Sequence, residues 1–590
     1  MSVYSRPVES RQSALLEGPG ASGRVLFALA LLAGALLRLV QLGVPDLFGP
    51  DEGPWVVGAR NLVEGGFEQF LGLSRTPLGP PSGTPVFFPA LLSLVVRVFG
   101  AEEWAIRLPS VFAGLVGAFV LERIVRRSYG QPAGHLAGAF AALFPPLVSS
   151  SRAASAEPAL VALGLGGIIF GLRAFEEDSP WEGALSGALF GLGFLSKGHA
   201  VGLFLAPLAV ALLARPRVLS LGRSRQTIAA LMGTFLVVGG SHLLLIAALR
   251  PAAFSFHLRS AFGAAGDWMR GPMEPTAFGA DLRTLVGTLF LFLPIAGVGI
   301  AYLFRELGEE ESASGATTGE RRLSHTLLWT VYGIELLIAV AVSGTLQLSS
   351  TLVMPAMAAF AGFGSAALLS PSDTPRWRRA EMIVALSSGL VVLAAAAYLM
   401  AFPNDPLFGG RQAPLSSGAV LASIAATAMG SVFLLSRRAG SRLSGRLALG
   451  MLSALLVAAG VESAGFIRRD LLTHRVGIRE IADQVAPLVA RRAPGDLSFV
   501  APDPDALAFR LFRRGRTWAG IENPVQATEG SPEFWVTRGT GPIGSAMPPR
   551  RLCDWLESAT DEVSAQVEAR ARRRLGLRVF VSRRTSLPPS

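Results

Sequence analysis

The sequence predicts an α-helical polytopic membrane protein carrying a small α/β domain outside the membrane. Three observations support this. Of 590 residues, 51% are hydrophobic and only 16% charged, with a mean hydropathy of +0.47. Apolar runs of roughly 16 to 22 residues recur along most of the chain, and about 20 residues of helix cross about 30 Å of hydrocarbon. Residues 467–590 then change character, with 20 arginines against 14 carboxylates and short apolar pieces between polar stretches.

Residues 1–23 are polar, Gly/Ser-rich and carry Arg6 and Arg11, as a cytoplasmic tail would. The first apolar run, Val25 to Val44, has no clear small-residue cleavage site after it and leads into further spans, so it reads as a retained helix. Pro45 to Asn61 follows, with Asp51 and Glu52 entering a short amphipathic helix. An aspartate there also suits an N-cap, which accepts free backbone N–H groups. The run Val86 to Phe99 is 14 residues, about 21 Å as a helix, and contains Pro89 and Arg97. That is too short to cross, so it is expected to lie in the interface, which makes residues 45–104 one external loop.

Charge parity supports this choice, because arginine-rich short loops share the cytoplasmic side. With spans near 105–125, 131–148, 158–174, 182–196, 199–214, 227–249, 284–303, 323–342, 347–369, 381–402, 417–436 and 447–466, the clusters at 123–127, 215–225, 321–322, 376–379 and 437–446 all fall inside. Counting 86–99 as a span would invert every one. The expected layout is about 13 transmembrane helices over residues 24–466, N-terminus in and C-terminus out. The loop 305–322 reads as a flexible connector. In 467–590, the pieces LSFVA, FWVT and LRVFVS read as strands, and Ile478–Arg491 and Arg551–Arg574 as helices.

Composition excludes other classes. Cys553 is the one cysteine, so an internal disulfide and a cysteine metal cluster are ruled out. The net charge of +11 comes from arginines dispersed beside apolar runs, which topology explains better than nucleic-acid binding. Among 53 basic residues the single lysine is Lys197, which suggests a site needing a compact ammonium rather than a planar fork.

The topology gathers four polar features on the outer face. Asp51 and Glu52 follow span one, and Arg152 and Glu157 lie between spans three and four. Lys197 sits between spans five and six, and the loop 251–283 supplies His257, Arg259, Asp267, Trp268, Arg270 and Glu274. Arg107 begins span two on the same side and reads as an interface anchor. The set holds carboxylates that can accept a proton, cations that can hold a phosphate, and an entrance at bilayer level. A fixed ammonium beside a leaving phosphate stabilises developing charge, and a carboxylate beside an acceptor hydroxyl gives general-base assistance. Asp51, with Glu52 adjacent, is the candidate catalytic carboxylate, and Lys197 with Arg270 the candidate phosphate clamp. Arg75, Arg152, His257 and Arg259 are candidate substrate contacts. A divalent metal is not favoured, since residues 24–466 hold no Asp-x-Asp and adjacent side chains on a regular backbone diverge.

The order DEGPWVVGARNLVEGG, TPVFFPALL, FGAEEWAIRLPS, SRAASAEPAL, GLGFLSKG resembles the GT-C glycosyltransferases of the protein O-mannosyltransferase and lipid A aminoarabinose transferase superfamily, over about residues 24–250. The resemblance implies a GT-C membrane domain. It also implies transfer of a sugar, with inversion, from a polyprenyl-phosphate donor to a lipid, glycan or protein hydroxyl at the outer face of a bacterial inner membrane, in the context of protein glycosylation or lipid A modification. Asp51 would correspond to the catalytic acid of the first loop, Glu157 to a second acidic residue, and Lys197 to the lysine on the donor phosphate. Two departures stand out. Thr84-Pro85-Val86 replaces a basic residue before a Pro-Pro-Leu motif, and Gln347 and Leu352 precede Pro355 where the family has a basic residue and a tyrosine. The rival reading is a transporter or flippase of a lipid-linked or anionic substrate. Such proteins place ionisable residues and broken helices near the midplane, whereas here the notable charges stand at span ends, with His242 and Glu335 the exceptions.

Overall fold

The computed structural model describes residues 20–43, 49–64, 66, 70, 86–197, 201–213, 222–249, 251, 254, 293–310, 325–335 and 354–369. It also describes helical positions between 452 and 467 and strand residues between 499 and 582. The N-terminal part is a helical bundle: α1 (Gly20–Leu39), α2 (Gly49–Glu64), α3 (Phe87–Phe99), α4 (Glu103–Tyr129), α5 (Gln131–Leu143), α6 (Pro145–Ser150), α7 (Ala156–Glu176), α8 (Pro180–Phe194), α9 (Gly202–Leu213), α10 (Gly222–Leu249), α11 (Leu293–Glu310) and α12 (Met354–Leu369). Among the described residues, α4, α7 and the Arg225–Leu249 part of α10 are long and apolar enough to cross a membrane. The spans expected at 381–402 and 417–436 lie outside the described residues.

Local chemistry sets the helix ends. The span expected over 131–148 is two pieces, because Pro145 disfavours helical geometry at the residue before it and Phe144 adopts φ −65°, ψ 120°. Ser155 caps α7 by accepting the Glu157 N–H at 3.3 Å. Ser179 does the same for α8 through Glu182, with Pro180 at the first helical position, where a missing N–H costs nothing. The run 86–99, expected as a short helix, forms α3.

Helices pack through small residues, as van der Waals packing in lipid requires. A Cβ on Gly164 would meet the Phe204 ring, and one on Gly167 the Phe190 ring. On Gly187 of α8 it would strike the Leu231 carbonyl of α10. The core between them runs from Phe140 and Leu160 to Trp329, Tyr332 and Phe360. At one end of the bundle, Arg127 of α4 pairs with Glu176 of α7 at 2.6 Å and Arg173 of α7 with Glu182 of α8 at 2.5 Å. Also at that end, His135 of α5 lies 3.0 Å from Glu122 of α4. Arg123, Arg126 and Arg127 of the predicted cytoplasmic cluster sit here, at the C-terminal end of α4.

The C-terminal region contains a five-stranded sheet in the order β2-β1-β3-β5-β4. Its strands are β1 (Phe499–Val500), β2 (Ile521–Glu522), β3 (Phe534–Arg538), β4 (Thr560–Glu562) and β5 (Leu577–Ser582). β1 pairs in parallel with β2 and β3, and β5 runs antiparallel to β3 and β4. The three apolar pieces expected as strands give β1, β3 and β5. The helix expected over Arg551–Arg574 is corrected: it contains β4, which pairs Thr560 with Ser582 and Glu562 with Phe580. Cross-strand pairing there overrides a helical local pattern. The helix expected at Ile478–Arg491 lies outside the described residues.

Candidate active site

The site is assembled at the opposite end of the bundle from the Arg127–Glu176 pair, around the loop that joins α6 to α7. Four helix termini converge on it: the end of α1, the starts of α2 and α4, and the turn after α8.

Glu52, in the first turn of α2, is fully buried, and Arg107 of α4 grips it bidentately at 2.8 and 2.9 Å. The third nitrogen of that guanidinium donates to the Leu42 carbonyl at 2.8 Å. The Ala154 N–H donates to Glu52 at 2.6 Å. One carboxylate thus joins three segments distant in sequence: the start of α2, the start of α4 and the α6–α7 loop. Ser110 of α4 fastens the same loop, donating to the Ser155 carbonyl at 2.9 Å and accepting the Ser155 N–H at 3.2 Å. Arg152, also buried, gives one nitrogen to the carbonyls of Leu37, Arg38 and Val40 at 2.8 to 3.0 Å. Those carbonyls end α1 without intrahelical partners, and a cation there is further favoured by the helix dipole.

α3 completes the enclosure. Phe88, Leu92 and Val96 pack with Val56 and Ala59 of α2, Ile106 of α4 and Ala154 of the loop. Trp55 meets Phe88 edge-on at 5.7 Å. Arg97 donates to the Leu62 carbonyl near the end of α2, and the Phe87 N–H donates to Leu195 O at 3.0 Å. This last bond sets the start of α3 against the turn that carries Lys197.

Lys197 Nζ lies 2.9 Å from Glu157 Oε1, and both side chains remain partly accessible, at 20% and 16%. One of the three ammonium donors is used, leaving two N–H groups able to meet a phosphate oxygen. Ala154, which holds Glu52, and Glu157, which holds Lys197, stand three positions apart on one short stretch. The start of α2 and the lysine turn are therefore fixed to the same loop.

The expected site residues divide accordingly. Glu157 and Lys197 meet directly, and Asp51 occupies the backbone position before Glu52 in the first turn of α2. Glu52, fully buried and accepting from Arg107 and the Ala154 N–H, joins these segments to one another. Arg152 caps the end of α1 through one of its nitrogens. Arg107 is not an interface anchor, being 1% exposed and ion-paired. Arg75, His257, Arg259 and Arg270 lie outside the described residues. Sequence reasoning missed the Glu52–Arg107 pair and the Ser110–Ser155 lock. A charged residue within the first turns of an apolar helix was the available signal, since such residues are usually paired or functional. Among the described residues no group of three histidine, cysteine or acidic side chains is placed to hold a metal ion.

Parts of the chain are similar to known proteins. Residues 83–242 match the family described as dolichyl-phosphate-mannose-protein mannosyltransferase. The undecaprenyl phosphate-alpha-4-amino-4-deoxy-L-arabinose arabinosyl transferase of Pseudomonas aeruginosa is 30% identical over 251 residues, 41% of this chain and 42% of that protein. The chain thus spans about two fifths of the length of such curated relatives. The crystal structure of ArnT from Cupriavidus metallidurans bound to undecaprenyl phosphate superposes with a TM-score of 0.59 at 17% identity, covering 96% of this chain and 99% of that one. The apo form of that protein gives 0.58 at 19% identity. At those identities the likeness establishes the fold, and with the matched segment it upholds the resemblance to the GT-C glycosyltransferase superfamily.

Proposed function

We propose that this chain, a GT-C superfamily protein by its fold and its matched membrane segment, is a membrane glycosyltransferase that moves a sugar from a polyprenyl-phosphate donor to a hydroxyl acceptor. The observation that carries the proposal is the Lys197–Glu157 pair, tied through Ala154 and Glu52 to the helix turn bearing Asp51. Arg270 is proposed as a second cation for the donor phosphate, and Arg75, His257 and Arg259 as substrate contacts. The acceptor is a lipid, glycan or protein.

In the proposed reaction Asp51 takes the proton of the acceptor hydroxyl as its oxygen attacks the anomeric carbon. The bond from that carbon to the phosphate oxygen breaks, its electron pair leaves on the polyprenyl phosphate, and the configuration inverts. Lys197 stabilises the charge growing on the departing phosphate, a preorganised interaction that is often the largest catalytic contribution. Glu157 fixes where that ammonium points.

The same reading places the site at the outer face of a bacterial inner membrane, with about 13 spans, an inside N-terminus and an extracytoplasmic C-terminal domain, because that orientation keeps the arginine clusters cytoplasmic. The test is transfer by the purified full-length protein from a labelled polyprenyl-phosphate sugar, comparing wild type with Asp51→Asn. Activity in wild type and its loss in the variant support the proposal. Equal turnover in the two would remove Asp51 from the mechanism, and accumulation of intact donor across a vesicle bilayer without transfer would favour the flippase reading.

A further inference from the structure

The α5–α6 break leaves carbonyls that the local backbone cannot satisfy. In a continuing helix the carbonyls of Ala141 and Ala142 would accept from the nitrogens of residues 145 and 146, and both are proline, which has no N–H. Two side chains from elsewhere cover the end of α5. Ser463 Oγ donates to Leu143 O at 2.9 Å, and Arg38 of α1 donates to Ala142 O at 2.6 Å.

Arg38 is 0% exposed within α1, whose apolar run is expected from the sequence to cross the membrane, where an arginine is costly and needs a reason. The same nitrogen also reaches the Gly34 carbonyl one turn earlier at 3.0 Å, while its Nε and its other terminal nitrogen make no hydrogen bond. The backbone is shaped for this contact: a Cβ on Gly34 would collide with the Ala142 oxygen, so only a glycine lets that carbonyl lie against α1. Outside its own helix, Arg38 is seen to bond the Ala142 carbonyl, at the break from which α6 and the loop 151–157 depart. Arg152 returns from that loop to the α1 carbonyls, including Arg38's own, so two arginines brace α1 against both sides of the α6 segment.

We infer that Arg38 is a positioning residue: by holding the Ala142 carbonyl at the proline break, it sets where the loop delivers Ala154 to Glu52 and Glu157 to Lys197. Its catalytic consequence rests on the glycosyltransferase reading, whereas its structural consequence does not. Misplacing a reacting group by about 1 Å can cost about a hundredfold.

The experiment uses the full-length protein with Arg38→Met, Arg38→Lys, Gly34→Ala and the Arg38→Met/Gly34→Ala double variant. Arg38→Met should lower kcat by about tenfold to a hundredfold with the donor KM little changed, and Arg38→Lys, which keeps one donor, should recover part of the loss. Gly34→Ala keeps the guanidinium but crowds both the same carbonyl and the Arg38 nitrogen that holds it, which lies 3.0 Å from the added carbon, so the double variant should be no worse than the less active single one, as expected of residues acting through one contact. A second readout is independent of turnover. Because Lys197 is the only lysine, acylation of its side chain by an amine-reactive ester, followed by mass spectrometry, reports directly on the Glu157 pair. Arg38→Met and Gly34→Ala should each raise that rate by up to about fivefold, the ceiling for a partly exposed ion pair. Wild-type labelling rates in both, or effects that multiply in the double variant, would overturn the inference. A wild-type protein inactive on every polyprenyl-phosphate sugar would sink the functional reading alone, and labelling would still decide Arg38. Should Arg38→Met not fold, Arg38→Lys and Gly34→Ala carry the same comparison.

Discussion

Lys197 Nζ and Glu157 Oε1 stand 2.9 Å apart, so the chain's one ammonium is held by a carboxylate at the start of α7. A lysine presents a compact charge with three rotatable donors, whereas an arginine would place a wider planar group against the same carboxylate. Lys197→Ala should cost about 100- to 1,000-fold in kcat, the scale for removing one preorganised donor from a developing anion. Lys197→Arg should keep the fold and still lose most transfer. Full activity in Lys197→Arg, measured with a polyprenyl-phosphate sugar, would show that charge alone suffices.

The Glu52–Arg107 pair calls for a different measurement. Both side chains are buried, so removing one partner strands the other without water. Glu52→Gln or Arg107→Met should destabilise the protein by about 3–5 kcal/mol, seen as a lower melting temperature in detergent. The double variant should lose less than the sum of the two, because no uncompensated charge remains. Single variants that melt like wild type would refute the structural role assigned to Glu52.

Asp51 and Glu52 are neighbours in sequence with opposite expected phenotypes. Asp51→Asn should melt as wild type does and lose about 100- to 10,000-fold in turnover, the range for general-base assistance. Glu52→Gln should be distinguished by its melting temperature. Identical melting losses in both variants would place Asp51 in the packing instead of the chemistry.

Helix approach offers a fourth test. A Cβ on Gly299 of α11 would strike the Phe360 carbonyl of α12, and one on Gly364 the Ile295 carbonyl of α11. Gly299→Val should therefore force these helices apart and reduce the yield of monodisperse protein. Gly233→Ala, where nothing lies within 4 Å of the added carbon, is the control and should be neutral. Equal behaviour of the two in size-exclusion profiles would argue against close packing as the role of Gly299.

Much of the architecture was legible in advance because its causes are local. Apolar length marked α4 and α7, and three apolar pieces gave β1, β3 and β5. The strand at Thr560–Glu562 was not legible, since its reason is a partner twenty residues on, in β5. At the site, residue type singled out Lys197 and Glu157, yet it could not separate Asp51 from Glu52, two adjacent carboxylates with the same local pattern.

The sequence by itself determined a helical membrane chain and which few polar groups stand at the ends of its spans, because hydropathy and proline act over a handful of neighbours. Only tertiary structure decided which of those groups are bound to one another. The Arg107 guanidinium reaches back 55 positions to Glu52, and Arg38 reaches forward 104 to Ala142. Whether a buried charge reacts or merely holds depends on how many of its donors and acceptors such distant partners have already taken.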